Sequence, residues 1–451
     1  MNKNIFKAYD IRGLYPQDLN EEVAYKIGQS VVKELGAKVL AVGRDARPHG
    51  PALMDSLIKG VDDAGCNVID LDMVTTPMLL FASWNLKVDG VVGVTASHNP
   101  VEYNGIKICR QNSASIGMGS GLEKIRNNVL NFSPVTADKS GTVTKMDVKD
   151  MYYDFVKKFA DFGAKKFHVV IDCANTMGVL DIPLYEEFSD NLTITKIYCD
   201  LNKPYTAHEA NPLNSATLDE LREKVVSVQA DLGIAYDGDA DRIGFVDETG
   251  EIIPMDLVTG LIAQVVLKNN PGATILYDLR SSTAVKEVIE ENGGVAHQCR
   301  VGHTFIKAQM VKEEAVFAGE LSGHYYFNLN KNGELPTYVA FALLNLMSQS
   351  GQTISNLTKN IRRYHHSGEI NLTVSDSSSI LEALKRRYVD GKILEIDGVK
   401  ISFWHKPKGE RWWFSVRASN TEPVIRLNLE ADNCDLVRNK RDELLRFIKC
   451  V

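Results

Sequence analysis

The chain has no Cys-x-x-Cys pair, no apolar run long enough to cross a bilayer and no excess of positive charge, and each absence closes off a class of function. Its seven cysteines, Cys66, Cys109, Cys173, Cys199, Cys299, Cys434 and Cys450, are scattered and odd in number, which argues against a zinc site or a disulfide framework and for a reducing compartment. The most apolar helix-like run, YVAFALLNLM from Tyr338, is too short to span a membrane, and the opening MNKNIFKAYDIRG carries no apolar signal core. A net charge of -7 and a pI near 5.9 give no general attraction to nucleic acid or anionic lipid. Any anionic ligand has to be held by local basic groups. The expectation is a cytoplasmic protein with neither nucleic acid nor membrane as partner.

What is present is a pattern that recurs. At 451 residues the chain is too long for one core, and about 150 residues per domain predicts roughly three or four units. Three apolar segments end in an aspartate: VLAVGRDAR at Asp45, HVVIDCAN at Asp172 and TILYDLRSS at Asp278. Each is followed by a helix-compatible stretch and then a second apolar strand with a polar tip. Those tips are VVGVTASHNP at Ser97, LGIAYDGDADR at Asp237 and AVFAGELSGH at Glu320. Strand, helix, strand and polar loop, three times over, predicts three similar α/β domains, with ligands bound beyond the carboxyl ends of the strands. From about Gly368 strands outnumber helices and alternate apolar with polar residues, which predicts an antiparallel sheet with helices on one face. The expected domains are 1–150, 151–251, 252–366 and 367–451.

The polar tips carry the chemistry. Ser97 and His98 are adjacent, so on an extended backbone their side chains diverge and His98 is a poor base for Ser97. TASHN also lacks the Gly-x-Ser-x-Gly of a nucleophile elbow. Asn104-Gly105 reads as a tight turn before a short strand that sends Ile106 and Ile108 to the core and Lys107 to the other side, beside the serine loop. Asp237, Asp239 and Asp241 fall at i, i+2 and i+4, where their repulsion calls for a hard divalent cation and suits Mg²⁺. An EF-hand fails because Arg242 stands where glycine is required. An aspartyl-phosphate enzyme with Asp237 as nucleophile stays open at this point, and in either case Arg242 could hold a phosphate. In GELSGH, Glu320 and Ser322 could grip sugar hydroxyls and His324 could act as acid or base, against the plain alternative of ordinary loop chemistry. RASNTEP offers Arg417, Ser419, Asn420 and Thr421 together, a set that suits a phosphate dianion as well as it suits a capped turn.

Taken in order, AYDIRG, VGRDAR, TASHNP, DGDADR, VGHTFIK, GELSGH and RASNTEP resemble the α-D-phosphohexomutase family in its phosphomannomutase/phosphoglucomutase branch. The resemblance implies three topologically similar α/β domains with mixed sheets plus a C-terminal α+β domain, around a central cleft. It implies that Ser97 is the phosphorylated serine and a metal ligand with Asp237, Asp239 and Asp241. Arg242, Arg12 and Lys107 fall near the transferred phosphoryl group. Glu320 and Ser322 read the sugar, with His324 as an acid/base. Arg417, Ser419, Asn420 and Thr421 hold the non-reacting phosphate, helped by Tyr9, Arg280 and His303. The implied reaction moves a phosphoryl group between O6 and O1 of a hexose phosphate, mannose or glucose, with Mg²⁺ as cofactor and a hexose 1,6-bisphosphate as intermediate and activator. Monomer and dimer are both compatible with the resemblance.

Two departures stand out. NLNKNGELPTYVA replaces an acidic turn common among relatives, and Arg280 stands where some of them have lysine. A phosphoglucosamine mutase is the alternative inside the family, against which GELSGH and SNTEP both count. A metal-dependent sugar phosphatase and a silent sugar-phosphate binder are the alternatives outside it. Because water competes for a phosphoenzyme, the fourth domain is expected to rotate about the segment near 367. Small-angle scattering with and without a bisphosphate checks this: compaction is expected, and an unchanged radius of gyration would count against it.

Overall fold

In the computed structural model, residues 2–135, 137–374, 376–418 and 424–451 are described. The chain forms two compact units, one running to Met255 and resuming over Gly302–Leu357, the other made of Asp256–Val301 and Thr358–Val451. Among the described residues no helix is long and apolar enough to cross a membrane.

The first unit holds two sheets of one design. In the first sheet Val39–Arg44 lies between Asn67–Met73 and Gly90–Val94, both parallel to it, and Tyr103–Arg110 then returns antiparallel. In the second sheet Phe167–Asp172 lies between Leu192–Ile197 and Leu232–Tyr236, again both parallel, and Ile243–Asp247 returns antiparallel. Gly90–Val94 and Leu232–Tyr236 are buried along their whole length. Interior parallel strands are covered on both faces, which is why these segments read as unbroken apolar runs. The third copy shows the same elements: Thr274–Asp278 runs parallel to Val295–Cys299 in the second unit, and Phe317–Gly319 hairpins with Tyr325–Phe327 in the first. Ser97, Asp237 and Glu320 each lie just beyond the strand that precedes the antiparallel return, so the expected recurrence is present.

The second unit ends in an all-antiparallel sheet. Val424–Ala431 pairs with His365–His366, Ile370–Thr373 and Trp412–Ala418, and the last of these carries Val399–Ser402 and then Lys392–Leu394. Helices Ser377–Arg387 and Cys434–Cys450 complete its core through Ile380, Leu384, Val437, Leu444 and Ile448.

One expectation needs correction. Asn104-Gly105 is not a turn but part of the strand Tyr103–Arg110. Glycine is needed there for another reason: a Cβ at Gly105 would lie 2.4 Å from the Ile11 carbonyl oxygen and 2.6 Å from that of Thr95. The rest of that reading holds, with Ile106 and Ile108 buried and Lys107 on the opposite face.

A buried polar chain runs behind the second sheet. Tyr185 Oη is 2.5 Å from Tyr236 Oη, Tyr236 Oη is 2.7 Å from Thr337 Oγ1, and Thr337 donates to Asp181 Oδ2 at 2.5 Å. Asp181 Oδ1 is buried without a hydrogen-bond partner among the described residues. Burial pushes the Asp181 carboxyl up to about 7, only partly opposed by the Thr337 hydroxyl. The folded protein therefore binds this proton more tightly than the unfolded chain, and the stability this lends at low pH is lost as pH rises through about 7. Asp181→Asn is expected to stabilise the protein by at least about 1 kcal/mol at pH 8, and the gain should vanish below about pH 4. Urea denaturation at the two pH values checks it; equal effects at both would refute the assignment.

Candidate active site

Ser97 sits in the left-handed backbone region at φ 52, a strained place for a residue with a Cβ. Its N–H donates to Thr95 Oγ1 at 2.9 Å, and its Oγ donates to Asp237 Oδ2 at 2.7 Å. The left-handed turn also overturns one expectation: neighbouring side chains converge here, and Ser97 Oγ lies 3.2 Å from His98 Nδ1. His98 is still a weak base, but the cause is electrostatic. Arg242, burial and Arg12 together hold its basicity well below the usual histidine value.

Opposite the serine stand the three carboxylates. One oxygen from each of Asp237, Asp239 and Asp241 lies within 4.8 Å of the others, and all three residues are buried. Burial and the charges of Asp241 and Asp239 push Asp237 up to about 8. The backbone N–H groups of Asp241 and Arg242 fold back onto Asp237 Oδ1 at 3.0 and 3.1 Å. Lys107 Nζ makes 2.6 Å contacts with both Asp239 Oδ2 and Asp241 Oδ2. Its ammonium thus stands against two of the three expected metal ligands. Asp239 Oδ1 is buried and accepts no hydrogen bond from any described residue. Three converging hard oxygen donors with one orphaned oxygen fit a divalent cation such as Mg²⁺.

Three further groups surround the carboxylates. Arg242 Nε lies 3.8 Å from Asp237 Oδ2. Arg12 pairs with Asp10 at 2.8 Å and donates to Asn99 Oδ1 at 2.5 Å, beside the serine loop. His324 Nε2 is 3.2 Å from Asp241 Oδ1, while its Nδ1 is 2.7 Å from Ser322 Oγ and 3.0 Å from Glu320 Oε2. Burial opposes charge on His324, but Asp241 and Glu320 outweigh it and raise the imidazole to about 9. Glu320 is braced by Tyr326 Oη at 3.0 Å and the Gly302 N–H at 3.1 Å. Tyr9 meets His303 edge-on at 5.5 Å between ring centroids.

Thr76 was not foreseen. Its N–H and Oγ1 donate to the backbone oxygen of Asp239 at 3.0 Å and to Asp239 Oδ2 at 2.6 Å. No local motif marks it; only its place just beyond the strand Asn67–Met73, at the carboxyl edge of the first sheet, is a signal.

The second unit carries a separate basic cluster. Arg280, Arg417 and Arg426 gather around Glu369, with Arg280 Nη1 at 3.5 Å from Oε2 and Arg426 Nη1 at 3.7 Å from Oε1. Arg417 and Arg426 are register partners on adjacent strands. Arg280 is braced by Asp278, and Arg417 Nη1 lies 3.7 Å from Asp397 Oδ2. Burial is the main cause that lowers the Arg417 guanidinium, followed by Arg280. Arg417 Nε is buried with no hydrogen-bond acceptor among the described residues. Such a cluster suits an anion. Glu369 and Asp397 were missed, because sheet register rather than sequence spacing brings them there. Ser419, Asn420 and Thr421 lie outside the described residues.

Comparison with known proteins follows the same order of parts. Models of phosphoglucomutase/phosphomannomutase α/β/α domains I, II and III match residues 3–132, 150–250 and 254–364, and the C-terminal domain of that family matches 369–446. A phosphomannomutase of Methanocaldococcus jannaschii is 35% identical over 450 residues, covering 98% of this chain and 97% of that protein. A phosphomannomutase/phosphoglucomutase of Pseudomonas aeruginosa is 37% identical over 440 residues, covering 95% and 92%. The crystal structure of a phosphoglucomutase/phosphomannomutase family protein from Burkholderia thailandensis superposes with a TM-score of 0.90 at 29% identity, covering 100% of this chain and 98% of that one.

The carboxylate cluster yields a direct test. Mn²⁺, as a spectroscopic stand-in for Mg²⁺, is expected to bind one site per chain, and Asp239→Ala to weaken it by more than about a hundredfold. Electron paramagnetic resonance titration reads this; equal binding by the variant would remove Asp239 from the ligand set.

Proposed function

Because the chain belongs to the phosphoglucomutase/phosphomannomutase family, we propose that it interconverts hexose 6-phosphates and hexose 1-phosphates, mannose and glucose among them, with Ser97 as the phosphoryl carrier. The observation that carries this reading is the 2.7 Å contact of Ser97 Oγ with Asp237, inside a ring of three buried carboxylates and the cations Lys107, Arg242, Arg12 and His324. A serine needs no such ring to cap a turn; a phosphate dianion on its oxygen does.

In the proposed cycle, the bond between phosphorus and Ser97 Oγ breaks as a new bond forms to a sugar hydroxyl oxygen, giving a hexose 1,6-bisphosphate. The bisphosphate turns end for end, and its other phosphoryl group returns to Ser97. Asp237, Asp239 and Asp241 would hold Mg²⁺, which when bound supplies charge neutralisation at the phosphoryl oxygens. Arg242 and Arg12 flank the same oxygens, and transfer is then chiefly in-line positioning. His324 is the acid/base group: in the charged form that Asp241 and Glu320 favour it donates a proton to the departing oxygen, and it takes the attacking hydroxyl's proton only from its neutral form. Glu320 and Ser322 fix its Nδ1 side, whereas Lys107 is committed to Asp239 and Asp241, whose charges outweigh burial and push its ammonium further up. Arg280 and Arg417, with Ser419, Asn420 and Thr421, grip the phosphate that does not react, and Tyr9 and His303 are further substrate-binding residues.

Ser97→Ala is expected to reduce turnover at least about ten-thousandfold, because a reaction with no carrier has no equivalent path. Incubation with labelled glucose 1,6-bisphosphate should leave acid-stable label on Ser97 of the parent enzyme. Acid-labile label on Asp237, or full turnover by the variant, would refute the scheme. A coupled assay of mannose 1-phosphate against glucose 1-phosphate then ranks the substrates, and a stronger activity on glucosamine 6-phosphate would overturn the assignment.

A further inference from the structure

Arg47, the last residue of VGRDAR, has no exposed surface and bonds to none of the side chains placed in the reaction. Its five N–H groups nevertheless all find acceptors. Nε meets Asp45 Oδ2 at 3.2 Å; Nη1 donates to the Pro100 and Tyr103 carbonyls at 2.7 and 2.9 Å; Nη2 donates to the Ser97 and Asn99 carbonyls at 2.8 and 2.7 Å. Five donors are the whole capacity of a guanidinium. Four of them tie down the backbone of one loop, the loop that carries Ser97 in its strained left-handed turn.

The same side chain leads to the aspartates. Its guanidinium lies 4.4 Å from the ring centre of Tyr205, whose hydroxyl is 3.1 Å from Asp45 Oδ2 and 3.4 Å from the Gly238 carbonyl oxygen. Gly238 lies between two of the carboxylates and packs directly on the serine loop: a Cβ there would sit 2.1 Å from the Ser97 carbonyl oxygen. One oxygen, that of Ser97, therefore accepts from Arg47 on one side and abuts Gly238 on the other.

We propose that Arg47, stacked on Tyr205 and oriented by Asp45, is a positioning residue that fixes the distance between the Ser97 hydroxyl and the aspartate loop, and thereby the rate of phosphoryl transfer rather than the binding of the sugar. The inference rests on the reading of Ser97 as phosphoryl carrier. Lysine cannot replace the arginine here. Its three donors leave one point and cannot reach five acceptors spread around a plane.

The test compares Arg47→Lys and Tyr205→Phe with the parent, measuring kcat, KM and the rate at which glucose 1,6-bisphosphate phosphorylates Ser97 per folded molecule. Arg47→Lys is expected to lower kcat and the phosphorylation rate together by about a hundredfold, the scale of a misplacement near 1 Å. KM for the hexose phosphate should stay within about threefold, as for an interaction made only in the transition state. Tyr205→Phe keeps the ring and loses the hydroxyl, and should lower both rates by about three- to tenfold on the same grounds. If Arg47→Lys lowers thermal stability while phosphorylation per folded molecule stays within about twofold of the parent, the residue is structural only and the proposal is overturned. Should Arg47→Lys fail to fold, Tyr205→Phe decides by the same two rates. Activity in Ser97→Ala would sink the carrier reading; an inactive Ser97→Ala beside a full-speed Arg47→Lys sinks only this inference.

Discussion

Three carboxylates gathered within 4.8 Å and cut off from water repel one another, and the surrounding site is arranged to answer that repulsion. Lys107 spans Asp239 and Asp241, Arg242 approaches Asp237, and His324 leans on Asp241. The answer is uneven. Asp241 is held well below the usual carboxylate range, because Lys107 and His324 outweigh its burial, while Asp237 is pushed up to about 8. Asp237 is the carboxylate left with least compensation, and it is the one that meets Ser97. A cation bound by all three would change that balance most at Asp237, the side on which phosphoryl charge would appear.

Backbone geometry carries the same constraint outward. For Ser97 Oγ to face Asp237 the serine takes a left-handed turn, and a turn of that kind in a β-carbon-bearing residue persists only where surrounding bonds hold it. The holding falls to groups given no part in the proposed transfer itself: Thr95 on the serine N–H, Arg47 on four carbonyls, and Asn99, which is tied in turn to Arg12. A single buried guanidinium thus holds four carbonyls of this segment.

Local pattern made much of this legible in the sequence. The i, i+2, i+4 aspartates, the buried runs before each polar tip and the alternation of Ile106, Lys107 and Ile108 all depend on short-range geometry that sequence spacing encodes directly. The failures share a cause as well. His98 diverges from Ser97 only on an extended backbone that Ser97 does not adopt, and Asn104-Gly105 reads as a turn although its glycine serves the close approach of Ile11 and Thr95. Thr76, Glu369, Asp397 and Tyr205 were invisible because strand register and loop packing bring them to their partners. No spacing rule links Glu369 to Arg426 or Tyr205 to Asp45.

The two units arrange their charged groups differently. In the first, cations and carboxylates are closely interleaved, so an entering anion would have to displace existing pairings. In the second, Arg280, Arg417 and Arg426 share Glu369, with Asp278 and Asp397 as further partners, and Arg417 Nε is left without an acceptor among the described residues. Charge-assisted bonds to a phosphate are roughly twice as strong as neutral ones. On the proposed reading, a hexose phosphate held by such bonds would owe little of its binding to any single hydroxyl, whose neutral hydrogen bond contributes only about 0.5–1.5 kcal/mol. On the proposed reading, epimers that differ at one hydroxyl would be separated by about tenfold or less.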